Sequence, residues 1–412
     1  MKILALNSGS SSQKSCLYDV RDTLPASPPE PVWQAKAEWN GNRAEVTIET
    51  AGGEKLKEQR AVESREKFLE SLLESLWSGK TRVLAAPSEI NVVGHRVVNG
   101  GKDYRQATVI TAEVKAAIRR MDAFAPLHNR AELEGMEIVE KQLGKVQQVA
   151  VFDTGFHSQL PEAAFVYPGP YEWLEQGIRR YGFHGINHEY CAGRAAQMLG
   201  KELRSLKLVT CHLGNGCSLA AIQDGHSVDT TMGFTPLEGL MMGTRSGSVD
   251  PGILTYLMRH GHYTGERLDE LLNKQSGLLG ISGSSGDMRE VVTSMKAGDA
   301  RAKLAFDIFV HRLQSGIGAM IAVLGGIDAL IFSAGIGENS VEVRAAACAN
   351  FGYLKLALDP AKNAAVLGQD HDITGSESGV RVLVVRAQED WAIARDCWKL
   401  TSEKPAGKAS PA

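Results

Sequence analysis

The sequence predicts an α/β protein made of two related domains, on three observations. The chain has 412 residues, beyond the ~250–300 at which a single hydrophobic core stops growing. Two stretches about half a chain apart repeat one pattern of strand, glycine turn and strand. Glycine is abundant, at 43 residues, against an average usage of ~7%, which favours tight turns and sites lined by backbone.

The first copy of the pattern is a strand from Lys2 to Leu6, a polar turn over residues 7–12, and a second strand from Lys14 to Tyr18. The second runs from Leu206 to Cys211, turns through His212-Leu213-Gly214-Asn215-Gly216 and returns over Cys217 to Ile222. Such recurrence marks duplication of one α/β unit. Between the copies, Leu69, Leu72, Leu73 and Leu76 recur at helical spacing and predict a helix from Arg65 to Trp77. Asn91 to Val98 and Gln148 to Phe152 read as strands whose ends carry polar or charged groups, where sites in parallel sheets form. Asp250-Pro251 reads as an N-cap and first-turn pair, with Gly261 closing that helix. Asp328 to Phe332 reads as a buried strand leading into the glycine loop Gly335 to Asn339, with a helix following from Ser340.

Composition excludes several function classes. Lys and Arg number 45 against 48 Asp and Glu, a net charge of −3, so no basic field is available to hold nucleic acid. The opening apolar run reaches Asn7 too soon for a signal peptide. Leu313 to Leu324, bounded by Arg312 and Asp328, falls short of the ~18 apolar residues of a membrane span and reads as a core helix. Cysteines 16, 191, 211, 217, 348 and 397 form no Cys-x-x-Cys pair, which argues against a disulfide framework or zinc site and fits a reducing cytoplasm. Residues 25–31, rich in proline, and the tail 401–412 carry no expected chemistry.

Glycine turns at strand ends in both halves could surround phosphates with backbone N–H groups. No P-loop is present, because Lys14 stands where the second glycine of that motif belongs. Val97 follows His95-Arg96, so the protein-kinase catalytic loop is absent too. Two arginines and a histidine, Arg96, Arg245 and His184, each beside glycine or flexible residues, could converge on transferring phosphoryl oxygens.

Nine segments in chain order resemble the acetate kinase family: Asn7-x-Gly-Ser-Ser-Ser-x-Lys14, Gly94-His95-Arg96-Val97-Val98, Pro126-Leu127-His128-Asn129, Phe152-Asp153-Thr154-x-Phe156-His157, Tyr181-Gly182-Phe183-His184-Gly185, His212-Leu213-Gly214-Asn215-Gly216, Met232 to Gly239, Gly243-Thr244-Arg245 and Gly335-Ile336-Gly337-Glu338-Asn339. The resemblance implies an α/β fold of duplicated ribonuclease-H-like (actin-like ATPase) domains with an interdomain cleft. An N-terminal acyl-substrate domain over 1–154, rejoined by a helix at about 389–400, would precede a nucleotide-binding domain over 155–388 and a flexible tail over 401–412. The implied reaction is reversible transfer of the ATP γ-phosphoryl group to acetate, giving acetyl phosphate and ADP, with Mg²⁺ as cofactor and Mn²⁺ as its alternative. A cytoplasmic homodimer, acting on small molecules without membrane or nucleic-acid partners, is implied as well.

By the same resemblance, Arg96 binds the carboxylate, while Arg245 and His184 stabilise equatorial phosphoryl oxygens. Asp153 matches the family's catalytic acid. Because a carboxylate substrate is already ionised at neutral pH, its expected role is to orient a cation or an arginine. Val98, Leu127, Phe183 and Pro236 match the pocket for the acetate methyl. Lys14, the span His212, Leu213, Gly214, Asn215, Gly216, the trio Asp287, Met288, Arg289, and Gly335, Ile336, Gly337, Glu338, Asn339 match ATP contacts. Ser10 and Ser12 belong to the phosphate loop, and Asn7 with Glu389 to the metal site. The chain departs from the family pattern at Asn99, Arg130, Ser248, Ile186-Asn187 and Ala387-Gln388, which leaves propionate or butyrate open as acyl acceptors. The superfamily also contains ATP-driven switches of the actin and Hsp70 kind, a second function class.

Overall fold

A computed structural model describes residues 1–8, 12–41, 43–121, 126–366 and 368–402. Met1–Gly155 with Gln388–Ala412 forms one compact unit and Phe156–Ala387 another.

In the first unit, β1 (Lys2–Ser8), β2 (Ser12–Asp19), β3 (Trp33–Asn40), β4 (Arg43–Thr50), β5 (Lys55–Ala61), β6 (Val92–Val97), β7 (Thr108–Val109) and β8 (Gln147–Phe152) form one sheet. Its order is β5-β4-β3-β2-β1-β6-β8-β7. β1 pairs antiparallel with β2 and parallel with β6, which pairs parallel with β8. β3 to β5 extend the sheet as a meander that no single apolar run announces; in β4, buried Ala44, Val46 and Ile48 alternate with Arg43, Glu45 and Thr47, so one face meets the core.

Against that face lies the helix Arg65–Glu74, begun by Ser64, whose side chain accepts from the Lys67 N–H. Phe68, Leu69, Leu72 and Leu73 bury on it. The helix stops at Glu74, three residues short of the predicted Trp77, and Leu76 joins the core from the turn that follows. The C-terminal helix Glu389–Ser402 packs on β1 and β6. Gly94 makes that approach possible: a methyl group there would lie 2.5 Å from Cys397 Sγ and 2.6 Å from Ile393 Cγ2.

In the second unit, β9 (Leu208–Leu213), β10 (Cys217–Gln223), β11 (His226–Thr230), β12 (Ala329–Ser333), β13 (His371–Asp372) and β14 (Arg381–Val384) form a sheet of order β11-β10-β9-β12-β14-β13. β9 is antiparallel to β10 and parallel to β12, and β12 is parallel to β14. The run of strand directions around β9 repeats that around β1, so the half-chain recurrence in the sequence is a recurrence of sheet topology.

The predicted core helix is the C-terminal half of Ala300–Leu324, started by Asp299 and ended by Gly325 at φ 61°. Leu313, Ile317, Met320, Ile321 and Leu324 bury along it. No described helix is long and apolar enough to cross a membrane. Asp250 caps Pro251–His260 through the Gly252 N–H, yet that helix buries none of its residues. Cys16, Cys191, Cys211, Cys217, Cys348 and Cys397 are all buried free thiols.

Candidate active site

Within the first unit, the carboxyl ends of adjacent parallel strands gather the polar groups. β1 ends on Asn7 and Ser8, β6 delivers Arg96, and Asp153 directly follows β8. Arg96 Nη2 donates to Asp153 Oδ2 at 2.7 Å, and Nη1 donates to the Ser8 carbonyl at 3.5 Å. Burial works against the guanidinium charge, but Asp153 and Glu389 more than offset it and hold Arg96 above its usual range.

Asn7 Nδ2 donates to Glu389 Oε2 at 2.9 Å, across 382 positions of sequence. One amide and one carboxylate offer hard oxygen donors. A set of one amide and one carboxylate oxygen is compatible with a Mg²⁺ that keeps most of its waters. Lys14 Nζ is ion-paired with Asp390, whose side chain is only 2% exposed. Burial opposes the ammonium charge, yet the Asp390 carboxylate raises its pKa overall. Lys14 is thus committed to the first turn of the C-terminal helix, a partner its resemblance to an ATP contact gave no hint of.

Glu132 lies in the same neighbourhood, buried in the helix Pro126–Leu143. The Val98 N–H donates to its Oε1 at 3.0 Å, while its Oε2 meets no donor among the described residues. Burial pushes its carboxyl up to about 8 despite the counteracting Arg96. Val98 itself is buried. Ser10 and the Leu127 side chain lie outside the described residues, whereas Ser12 opens β2.

In the second unit, His184 sits at the N-cap of the helix Gly185–Leu199 with a left-handed φ of 59°. Its ring stacks on His212, centroids 3.9 Å apart and 12° from parallel. Asn187, one of the departures from the family pattern, is buried and holds His212: its Nδ2 donates to His212 Nδ1 at 2.8 Å and to Ser333 Oγ at 3.2 Å. Arg245 Nη1 donates to the Pro236 carbonyl at 2.8 Å, tying the guanidinium to the segment that carries Pro236. A methyl group built on Gly216 would stand 3.2 Å from His184 Nε2 and 3.5 Å from Arg245 Nη1, so both groups face the backbone at that glycine. Phe183 is buried next to His184.

A cavity of about 650 Å³ in this unit is lined by Gly214, Asn215, Asp287, Met288, Arg289, Gly335, Ile336 and Asn339, together with Gly286, Val292, Ser340 and Glu342. Eight of the expected ATP contacts therefore share one cavity. His212, Leu213, Gly216, Gly337 and Glu338 are not on its wall. The expected open loop before Ser340 is instead a short helix, Ala334–Asn339, entered through Ala334 at φ 65°. Glu338 Oε1 accepts from the Ala334 N–H at 2.9 Å and the Ala387 N–H at 2.8 Å, so it fastens the helix start and turns from the cavity.

Arg344, fully buried, locks the other end of that turn. It donates to the Gly337 carbonyl at 2.9 Å, the Glu338 carbonyl at 2.7 Å and Asn363 Oδ1 at 2.6 Å. Burial draws its pKa down to about 10. Neither Arg344 nor Glu132 carries a motif that sequence inspection could have flagged. Of the remaining departures, Asn99 Oδ1 accepts from the Gly101 N–H at 2.8 Å and Ser248 Oγ from the Gly239 N–H at 3.0 Å. Both brace turns, and the Arg130 side chain lies outside the described residues.

Two sheets of matching strand order, the first with Arg96 and Asp153 at the ends of its parallel strands, make the duplicated α/β architecture of the actin-like ATPase fold, and the solved structures it matches are kinases. The crystal structure of Porphyromonas gingivalis acetate kinase matches with a TM-score of 0.88 at 38% identity, over 97% of this chain and 99% of that one. A propionate kinase from Francisella tularensis matches at 0.87 and 35%, over 96% and 98%. The acetokinase family profile covers residues 2–395, and the chain belongs to that family. An acetate kinase of Cyanothece sp. is 60% identical over 402 residues, 97% of this chain and 98% of its own. That of Gloeobacter violaceus is 60% identical over 403 residues, 97% and 99%.

Proposed function

We propose that the protein is an acetate kinase, transferring the γ-phosphoryl group of ATP to acetate in a reversible, Mg²⁺-dependent reaction that yields acetyl phosphate and ADP. The observation that carries this reading is 60% identity to an acetate kinase across 97% of the chain. Acetate ionises near ~4 to 5, so at neutral pH the nucleophile is already an anion and no general base is needed. The chemistry reduces to neutralising two anions and lining them up.

In this reading Arg96 receives the substrate carboxylate, and Asp153, bonded to it at 2.7 Å, fixes the guanidinium plane without abstracting a proton. Val98, Leu127, Phe183 and Pro236 match the family's pocket for the methyl group. His184 and Arg245, which share the space beside Gly216, donate to the equatorial oxygens as charge shifts toward the leaving ADP. The cavity between Gly214 and Asn339 takes the nucleotide. Asn7 and Glu389 would hold Mg²⁺ through water, and the ion would neutralise phosphate charge. Residues 1–154 would then serve the acyl substrate and 155–388 the nucleotide, in a cytoplasmic homodimer; the dimer and the location rest on family resemblance.

Propionate is the second acceptor to weigh, because a propionate kinase shares the fold at 35% identity. One methylene is worth only ~1–3 kcal/mol in such a pocket, so propionate should react more slowly than acetate. The switch reading gives way to the enzyme, as it leaves Arg96, His184 and Arg245 without a task. Trapping acyl phosphate with hydroxylamine, using acetate, propionate and butyrate in parallel, tests the proposal. ATP hydrolysis with no hydroxamate from any acid would overturn it. Arg245→Ala should lower kcat by ~10²–10³-fold with ATP affinity nearly kept; turnover near wild type would remove Arg245 from the reaction.

A further inference from the structure

His184 is held from behind by buried hydroxyls. Its Nδ1 lies 2.9 Å from Ser218 Oγ, and the same oxygen lies 2.7 Å from His188 Nε2. His188 Nδ1 in turn lies 2.7 Å from Thr210 Oγ1. Ser218, His188 and Thr210 are buried, at 0%, 0% and 1% exposure, so bulk water cannot substitute for any member. Ser218 and Thr210 come from the paired strands β10 and β9, and His188 stands one helical turn beyond His184.

We propose that Ser218, backed by His188 and Thr210, is the positioning residue for His184: it fixes the ring and places the imidazole hydrogen on Nε2, the edge that faces Gly216 beside Arg245. The inference rests on the reading of His184 as a donor to the transferring phosphoryl group.

A serine hydroxyl has one hydrogen, so between two imidazole nitrogens it donates to one and must accept from the other. Burial, followed by the neighbouring His157 and His212, keeps His188 neutral, and a neutral imidazole has one N–H to give. Two directions of bonding satisfy these three contacts. With Thr210 donating to His188 Nδ1, His188 Nε2–H donates to Ser218, and Ser218 donates to His184 Nδ1. Where the His184 ring is neutral, its hydrogen is then left on Nε2, and the reverse direction puts that hydrogen on Nδ1 and turns a lone pair toward Gly216, where an anionic oxygen would be repelled. Binding of a phosphoryl group therefore selects the first direction, and the chain holds it with no ring movement.

The test compares Ser218→Ala, Thr210→Val and His184→Ala in the full-length protein. Nitrogen-15 NMR of the imidazoles, with and without ATP, reads the His184 tautomer, while steady-state kinetics separates kcat from KM. Ser218→Ala is expected to lower kcat ~10–100-fold, the range seen for groups that orient a metal-bound histidine through its other nitrogen. KM for ATP should stay within about twofold, and the His184 Nε2–H signature should give way to a tautomer mixture. Thr210→Val keeps the Ser218 contact and should shift the tautomer balance with a smaller kcat loss. If Ser218→Ala does not fold, Thr210→Val carries the decision through the same NMR signature. Wild-type kcat and an unchanged His184 tautomer in the folded variants overturn the inference. An active His184→Ala would instead overturn the underlying role of His184, which keeps the two failures apart.

Discussion

Replacing Lys14 by methionine separates a structural role of its ammonium from a nucleotide contact. Its partner Asp390 is 2% exposed on the side chain, and Asp390 Oδ1 has no donor among the described residues. In Lys14→Met a buried carboxylate therefore loses its counter-ion. Removing one side of a buried ion pair costs ~3–5 kcal/mol, because the charge left behind is uncompensated. Because the Lys14 side chain is 46% exposed, water can reach part of the gap, and the measured loss should fall at or below the lower end of that range. Adding Asp390→Asn removes the charge and should recover most of the stability. Urea unfolding of the wild type, both single variants and the double variant measures these terms. A double variant no more stable than Lys14→Met refutes the reasoning. Once stability is restored, KM for ATP in the double variant reports directly on any nucleotide contact.

Two further outcomes follow from burial and packing. Glu132 is pushed up to about 8 by burial, above an unfolded value of ~4.3. From pH ~4.5 to 8 the folded chain thus binds more protons there than the unfolded chain, so its stabilising contribution, complete at low pH, is lost as pH rises. Glu132→Gln should flatten the urea midpoint over that window, by up to ~1.4 kcal/mol per pH unit; parallel pH profiles in the two proteins would contradict it. Gly94→Ala, with its methyl 2.5 Å from Cys397 Sγ and 2.6 Å from Ile393 Cγ2, should cost ~1–3 kcal/mol. Cys397→Ala should relieve part of that cost, and strictly additive losses in the double variant would count against the close contact.

What could be read beforehand divides along physical lines. The two hairpins were legible because a strand, a glycine turn and a returning strand are local in sequence, and Asp250-Pro251 announced a helix start by a contact only two residues long. β3 to β5 were not, since strands half-covered on one face alternate polar and apolar residues without a continuous run. Arg96, Asp153, His184 and Arg245 could be named from their motifs, but the bond between Arg96 and Asp153 spans 57 positions and follows only from β6 lying next to β8. Asp390 was overshadowed by Glu389 beside it, although its ion pair with Lys14 needs the C-terminal helix to return to β2. Ser218 and Arg344 had no signal at all: a serine in a strand and an arginine in a helix acquire meaning only when the oxygens and nitrogens around them are in place.

The sealed thiols make the chain a gauge of its own breathing. Burial pushes Cys217 and Cys348 up to about 12, so a disulfide reagent finds little thiolate while the fold stays shut. Each sulfur must wait for its segment to open before it can be labelled, and the rate at which it is labelled reports the free energy of that opening. Cys16 and Cys397 belong to one unit and Cys191, Cys211, Cys217 and Cys348 to the other. Peptide-resolved labelling would therefore time the loosening of each half separately, with no probe added to the protein.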